Sequence, residues 1–211
     1  MPYGYLGQNT PNQTVSNSGV FSISDVASLE KQGKFGGSLE LIAEQSYSSD
    51  VSTIDFTSID ENIYNVHLMV VSGVKGSVST VSQGIRFYES GVLETASVYQ
   101  YARQYNGVDG IFVEQRGTTR PYIPIMGRTL TTSVGNGNAY IYFYNLGDSS
   151  KYSFVTFQDN TMDVDRGGLM MFGGGVLPQT STVDGINWTI DSGNFTGFNI
   201  KLYGVKQLWV L

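Results

Sequence analysis

Between Phe195 and Val205 the chain alternates, with Phe198, Ile200 and Leu202 on one face of an extended segment and Asn199, Lys201 and Tyr203 on the other. A period of two marks a strand with one face in a core and the other in a wetter setting. A strand this late in the chain can be buried only against strands made earlier, so it is expected to close the fold. The same alternation recurs upstream. Residues 139–146 form the clearest strand, setting Tyr140, Tyr142 and Tyr144 against Ala139, Ile141 and Phe143. In residues 63–71, Tyr64, Val66, Leu68 and Val70 alternate with Ile63, Asn65, His67 and Met69, and residues 183–190 place Ile186, Trp188 and Ile190 on one face. Shorter strands are read at 38–45, 54–56, 84–89, 97–104, 152–157 and 169–172.

Between these runs the turn residues are dense. Asn106-Gly107, Asp109-Gly110, Asn136-Gly137 and Gly147-Asp148 are turn signals. Residues 72–83 read as a hairpin or loop, 159–168 as a polar loop and Gly173-Gly174-Gly175 as a break. Pro121 and Pro124 deny residues 111–128 the ladder of a central strand, which assigns them to an edge or a long loop. One good helix is predicted, over 22–33. Ser24 suits its N-cap, Asp25 its first turn and Lys31 its last, with Val26 and Leu29 as a narrow apolar stripe and Gly33 able to end it. Nine or ten short strands at fairly even spacing predict an all-β, antiparallel β-sandwich behind an N-terminal arm and one short helix.

Composition agrees with that pattern. Among 211 residues there are 26 Gly, 14 Tyr and 11 Phe, and charged residues make up only 14%, the profile of a turn-rich β protein. The formal charge of −6 disfavours nucleic acid and anionic membrane as partners. With no Cys, disulfides, thiolate catalysis and Cys-based zinc sites are excluded. No basic segment followed by an apolar one opens the sequence, so a signal peptide is not expected. No apolar run approaches the roughly 20 residues that span a bilayer, so membrane insertion is not expected.

Several stretches resemble the structural proteins of tailed marine phages such as cyanophages. They are Asn17 to Val26, Phe35 to Ile42, Ile54-Asp55-Phe56-Thr57 and Val66-His67-Leu68. The ending Gly193-Asn194-Phe195-Thr196 with Ile200 to Val205 is similar to the last strand of that family's jelly-roll domains. The resemblance runs from about Gly4 to Gln207 and rests on scaffold motifs. It implies a jelly-roll-like sandwich on the virion exterior, made in the host cytoplasm and assembled as an oligomer, expected to be a homotrimer. On this reading residues 1–37 anchor the protein to other virion proteins or sister subunits, 38–207 form the sandwich and 208–211 are an apolar tail.

The candidate contact residues follow from aromatic and cationic placement. Tyr3 and Tyr5 are the aromatic groups of a polar arm that is either loose or docked through them on a neighbouring subunit, and Trp209 lies in an apolar tail that wants a partner surface, its own domain or another. Tyr99, Tyr101, Tyr105, Tyr140, Tyr142 and Tyr144 offer flat faces with hydroxyl tips. These suit a protein interface or saccharide stacking, and would equally serve as a second core face. Arg116 and Arg120, with Arg128, fall in the proline-containing segment and could meet an acidic surface.

Other candidates carry less. His67 is the single histidine and reads as a structural residue. Asp159, Asp163 and Asp165 share some spacing with a calcium loop but lack its distal Glu. Glu94, Asp109, Glu114 and Asp159 supply carboxylates whose separation in space the sequence does not set. No catalytic residue, metal or cofactor is expected. The leading expectation is a tail-fibre or spike-type module that binds a host-surface glycan or protein. The alternatives are a capsid decoration, cement or tail adaptor protein without host contact, and a carbohydrate-binding or carbohydrate-active module.

Overall fold

The computed structural model describes residues 23–24, 26–27, 38–79, 81–128, 131–132 and 135–206. The chain divides between Glu40 and Leu41 into two units. In the first, Ile23, Ser24, Val26 and Ala27 are helical, within the span expected to be a helix. The rest of that span, the arm with Tyr3 and Tyr5, and the tail with Trp209 lie outside the described residues.

The described residues form thirteen strands: β1 (Leu39–Ser46), β2 (Thr53–Phe56), β3 (Val66–Gly76), β4 (Gln83–Glu89), β5 (Val92–Leu93), β6 (Tyr99–Gly107), β7 (Phe112–Arg120), β8 (Ile123–Met126), β9 (Gly137–Tyr144), β10 (Ser153–Asp163), β11 (Gly167–Leu177), β12 (Val183–Ile190) and β13 (Phe195–Val205). Eight lie in one sheet, in the order β1-β13-β3-β9-β10-β11-β6-β7. The second sheet runs β2-β12-β4-β5, and β8 also pairs with β4. Because β12 occupies the other side of β4, β5 and β8 share one edge, at Tyr88–Glu89 and Gln83–Ile85 respectively.

Without the inserted pieces, the order is β1-β13-β3-β9 in one sheet and β2-β12-β4-β8 in the other. Consecutive strands mostly change sheets, and the last strand returns beside the first. This is the strand order of a jelly roll. The hairpins β6–β7 and β10–β11 then widen the first sheet beyond β9.

One core joins the two sheets. The Phe87 ring of β4 meets that of Phe143 in β9 edge-on, with centroids 6.1 Å apart. Trp188 is fully buried, and its indole N–H donates to Gln83 Oε1 at 3.2 Å. The closing strand behaves as its alternation requires. β13 sits between β1 and β3, with Ile200 and Leu202 fully buried.

Four local expectations are corrected. Strand β3 starts at Val66 and not at residue 63, because Ile63 and Tyr64 N–H groups both donate to the Asp60 carbonyl in a turn, with Asp60 at φ 53°. It then continues to Gly76, through residues read as a loop. Gly73, at φ +67°, permits the register shift between Val71 and Val74 that keeps β3 paired with β9. Residues 159–163 are not loop but the second half of β10, and Gly173–Gly175 do not break the chain but lie inside β11. The proline-bearing segment does occupy edges: β7 ends the large sheet, and Pro124 lies in β8 at the rim of the small one.

Candidate binding face of the eight-stranded sheet

Alternation in β9, β10 and β11 puts one set of side chains in the core and the other on the outer face. In β9 the buried set is Ala139, Ile141 and Phe143, and the outer set is Tyr140, Tyr142 and Tyr144. Directly opposed residues of antiparallel strands share a face, so the register traces outer rows across the sheet. One runs Lys201, Val70, Tyr140, Gln158, Phe172, Gln104, Glu114. The next runs Tyr203, Leu68, Tyr142, Thr156, Gly174, Ala102, Arg116.

The first part of this face is an aromatic ladder. Tyr142 stacks on Tyr144 with ring planes 23° apart and meets Tyr140 edge-on, both at 6.4 Å. The hydroxyls bond across to β10, Tyr140 donating to Gln158 and Tyr144 sharing a 3.0 Å bond with Thr156. Farther along, Phe154, Met170 and Phe172 stand out of the sheet, with Phe172 48% exposed.

Beside Phe172 the face is hollow. Ala102 and Gly173 put almost no side chain there, and an open trough of about 650 Å³ lies over them. Phe172 forms one wall, Gln104, Glu114 and Arg116 the other, and Ala102 with the Gly173 backbone the floor. A flat ring next to amide, carboxylate and guanidinium groups over a backbone floor can stack an apolar ring face and hydrogen-bond its polar rim. Glycine here is a steric requirement. A Cβ on Gly173 would stand 2.6 Å from both the Ala102 carbonyl oxygen and Arg103 Cβ.

The structure separates the residues singled out from sequence. The tyrosines of β9 are on the outer face. Tyr99, Tyr101 and Tyr105 are on the inward side of β6 and do not extend that ladder, because Met171 and Gly175, their neighbours at Tyr105 and Tyr101, belong to the inward set of β11. Tyr99 is a correction as a contact residue. It is fully buried, its hydroxyl accepting from Phe87 N–H at 2.9 Å and donating to the Glu94 carbonyl at 3.1 Å, and burial pushes its ionisation up. Tyr101 is half-buried, with the Arg103 and Arg120 guanidiniums each 5.9 Å from its ring centre. The three arginines also part: Arg116 lines the trough, Arg120 leans on Tyr101, and Arg128 pairs with Asp165 at 2.7 Å.

On the inward side the widened sheet carries a polar pocket of about 440 Å³ between β6, β7 and the β10–β11 turn. Arg166 pairs with Asp109 at 3.4 Å and lies over Tyr105. Asp163 Oδ1 caps the turn, accepting from the N–H groups of Asp165 and Arg166. Asp159 is 2% exposed, and neither of its carboxylate oxygens has a hydrogen-bond partner. Burial drives its pKa well up, against a smaller opposing pull from Arg103. Asp159, Asp163 and Asp165 therefore do not converge as a calcium loop would, and among the described residues no group of three acidic, His or Cys side chains is placed to hold a metal.

His67 is fully buried. A carbonyl can only accept, so Nε2–H donates to the Ile59 oxygen at 2.7 Å, and burial lowers the imidazole pKa. Among the described residues no helix is long and apolar enough to cross a membrane. Compared with known proteins, the chain matches no protein-family model and no curated protein.

Sequence reasoning missed Phe172, Gln104 and Glu114 as partners in one site. The signal was present in residues 169–172, where Met170 and Phe172 alternate with Leu169 and Met171. Reading the glycines as a break removed the trough floor that makes Phe172 significant.

Proposed function

We propose that the protein is a non-enzymatic binding module of a virion exterior, a tail-fibre or spike-type jelly roll of the tailed-phage kind that holds a host-surface glycan on the outer face of its large sheet. The observation that carries this reading is the trough beside Phe172, where an exposed ring faces Gln104, Glu114 and Arg116. Saccharides present apolar ring faces and polar hydroxyl edges, and this surface matches both. Single contacts on so open a surface are weak, and repetition over an oligomer would strengthen them. The carboxylates that could have served hydrolysis are scattered: Glu94 beyond β5, Asp109 in an ion pair, Glu114 on the outer face and Asp159 inside.

The breadth of exposed apolar groups, Val70, Tyr140, Phe154 and Met170 among them, favours a second reading, in which the ladder side of the face is covered by another virion protein as in a decoration or adaptor role. Gold labelling of intact particles separates the two. Label at tail or fibre tips supports host binding, label over the capsid lattice supports decoration, and particles without label contradict both.

A further inference from the structure

Strand β7 is the last strand of the eight-stranded sheet. Among the described residues its pairing partner is β6, on one side. A nine-residue strand with a free edge is a template for another strand, and folded proteins usually blunt such edges with like charges, prolines or bulges. From Phe112 to Gly117, β7 carries no proline, and its pairing with β6 is regular from Tyr101–Gly117 to Asn106–Phe112. The irregularity falls beyond Gly117, between the pairs at Tyr99 and Tyr101. Phe112, Glu114, Arg116 and Thr118 are all exposed.

The charges on this edge are self-complementary. We propose that β7 pairs antiparallel with β7 of a second copy of this chain about a two-fold axis at Gln115, joining two large sheets into one. In that register Glu114 stands opposite Arg116 of the copy, and Arg116 opposite its Glu114. Both lie on the outer face, since their β6 partners are Gln104 and Ala102. Val113 then faces Gly117, and Phe112 faces Thr118. A two-fold contact uses the same patch twice, so one favourable pair is counted twice, and opposite charges directly across an antiparallel pair are stabilising.

Neighbouring registers are worse. Centring on Arg116 sets two guanidiniums against each other. Centring on Gly117 pairs Glu114 with Arg120, but Arg120 leans over the Tyr101 ring on the inward side and follows the irregularity. The opposite edge strand, β1, has Glu40 and Glu44 as its charged residues and no Lys or Arg of its own, and Glu44 already lies 3.7 Å from Lys201 of β13, so a second β1 would offer it no self-complementary charge pair. The β7 seam also places the two troughs side by side, because Glu114 and Arg116 line both the trough and the edge. It makes a two-fold assembly, not the threefold one that the phage resemblance implies.

The test is sedimentation equilibrium of the full chain, with far-UV circular dichroism as a check on folding. Wild type is expected at twice the 23.1 kDa chain mass. R116E and, reciprocally, E114R place like charges at both contacts and should weaken dimerisation about tenfold or more. The swap E114R/R116E should restore it. A wild type that stays monomeric or sediments as a trimer would overturn the proposal, and so would a dimer indifferent to both single reversals. F172A, which removes the trough wall away from the edge, should leave the mass unchanged, so failure of the glycan reading and failure of the seam are told apart.

Discussion

Asp159, which is buried, and Arg103, which is half-buried, lie on the inward face of the large sheet with no hydrogen bond between them. Arg103 spends Nε and Nη2 on Gln115 Oε1, at 2.9 and 2.6 Å, while its Nη1 and both Asp159 oxygens are without partners. Burial lowers the pKa of the guanidinium and raises that of the carboxyl. The folded state therefore keeps a proton on Asp159 at pH values where the unfolded chain has released it. Stability from this group is complete below the ordinary carboxylate pKa of about 4 and is lost as pH rises toward the elevated folded value. D159N removes the titration. The variant should be more stable than wild type at pH 8, by about 2–4 °C in Tm for each 1 kcal/mol gained, and should show a flatter profile above pH 4. Thermal melts between pH 4 and pH 9 check this.

His67 acts at the other end of the scale. Its pKa is lowered by burial, so the native state holds it neutral while the unfolded chain protonates near pH 6.5. Stability from this group is present above that pH and is lost as pH falls through the depressed value. H67Q keeps a donor for the Ile59 carbonyl without a titrating ring. It should lose about 1 kcal/mol at pH 7 and show a shallower decline between pH 6.5 and pH 5. Urea unfolding at fixed pH values reads both effects.

Gly173 holds β11 close to β6. A methyl group there would meet backbone and Arg103 Cβ, and neither is the free end of a flexible chain. G173A should cost about 1–3 kcal/mol, whereas Gly91, with open space around it though at φ +77°, tests backbone strain alone. Comparing G173A with G91A by denaturant midpoint separates steric from conformational cost.

How far the sequence could be read depended on which way polar residues faced. β9 and β13 were legible because apolar residues in them face inward and polar or amphipathic ones outward. In β10 the rule holds only from Val155 to Gln158: before it Ser153 is buried and Phe154 exposed, and after it Asp159, Thr161 and Asp163 are buried with Asn160 and Met162 outside. An alternation of buried polar groups looks like a loop in one dimension. Glycine misled for a related reason. In β11 it relieves crowding between strands, a property of neighbours 70 residues away that no local pattern encodes. The tyrosines show the remaining limit: period two assigns each strand two faces, but only the pairing of β6 with β11 reveals that Tyr105 and Tyr140 belong to opposite sides of the sheet.

The central claim is that the outer trough beside Phe172 meets the host surface. The direct measurement is binding of the 211-residue chain to immobilised host cell-surface polysaccharide, wild type against F172A. Phe172 is 48% exposed, so its truncation should shift stability by no more than about 0.5 kcal/mol. Loss of the stacking platform should weaken binding about tenfold or more. A wild type that does not bind the polysaccharide, or an F172A protein that binds it as well as wild type does, would contradict the claim.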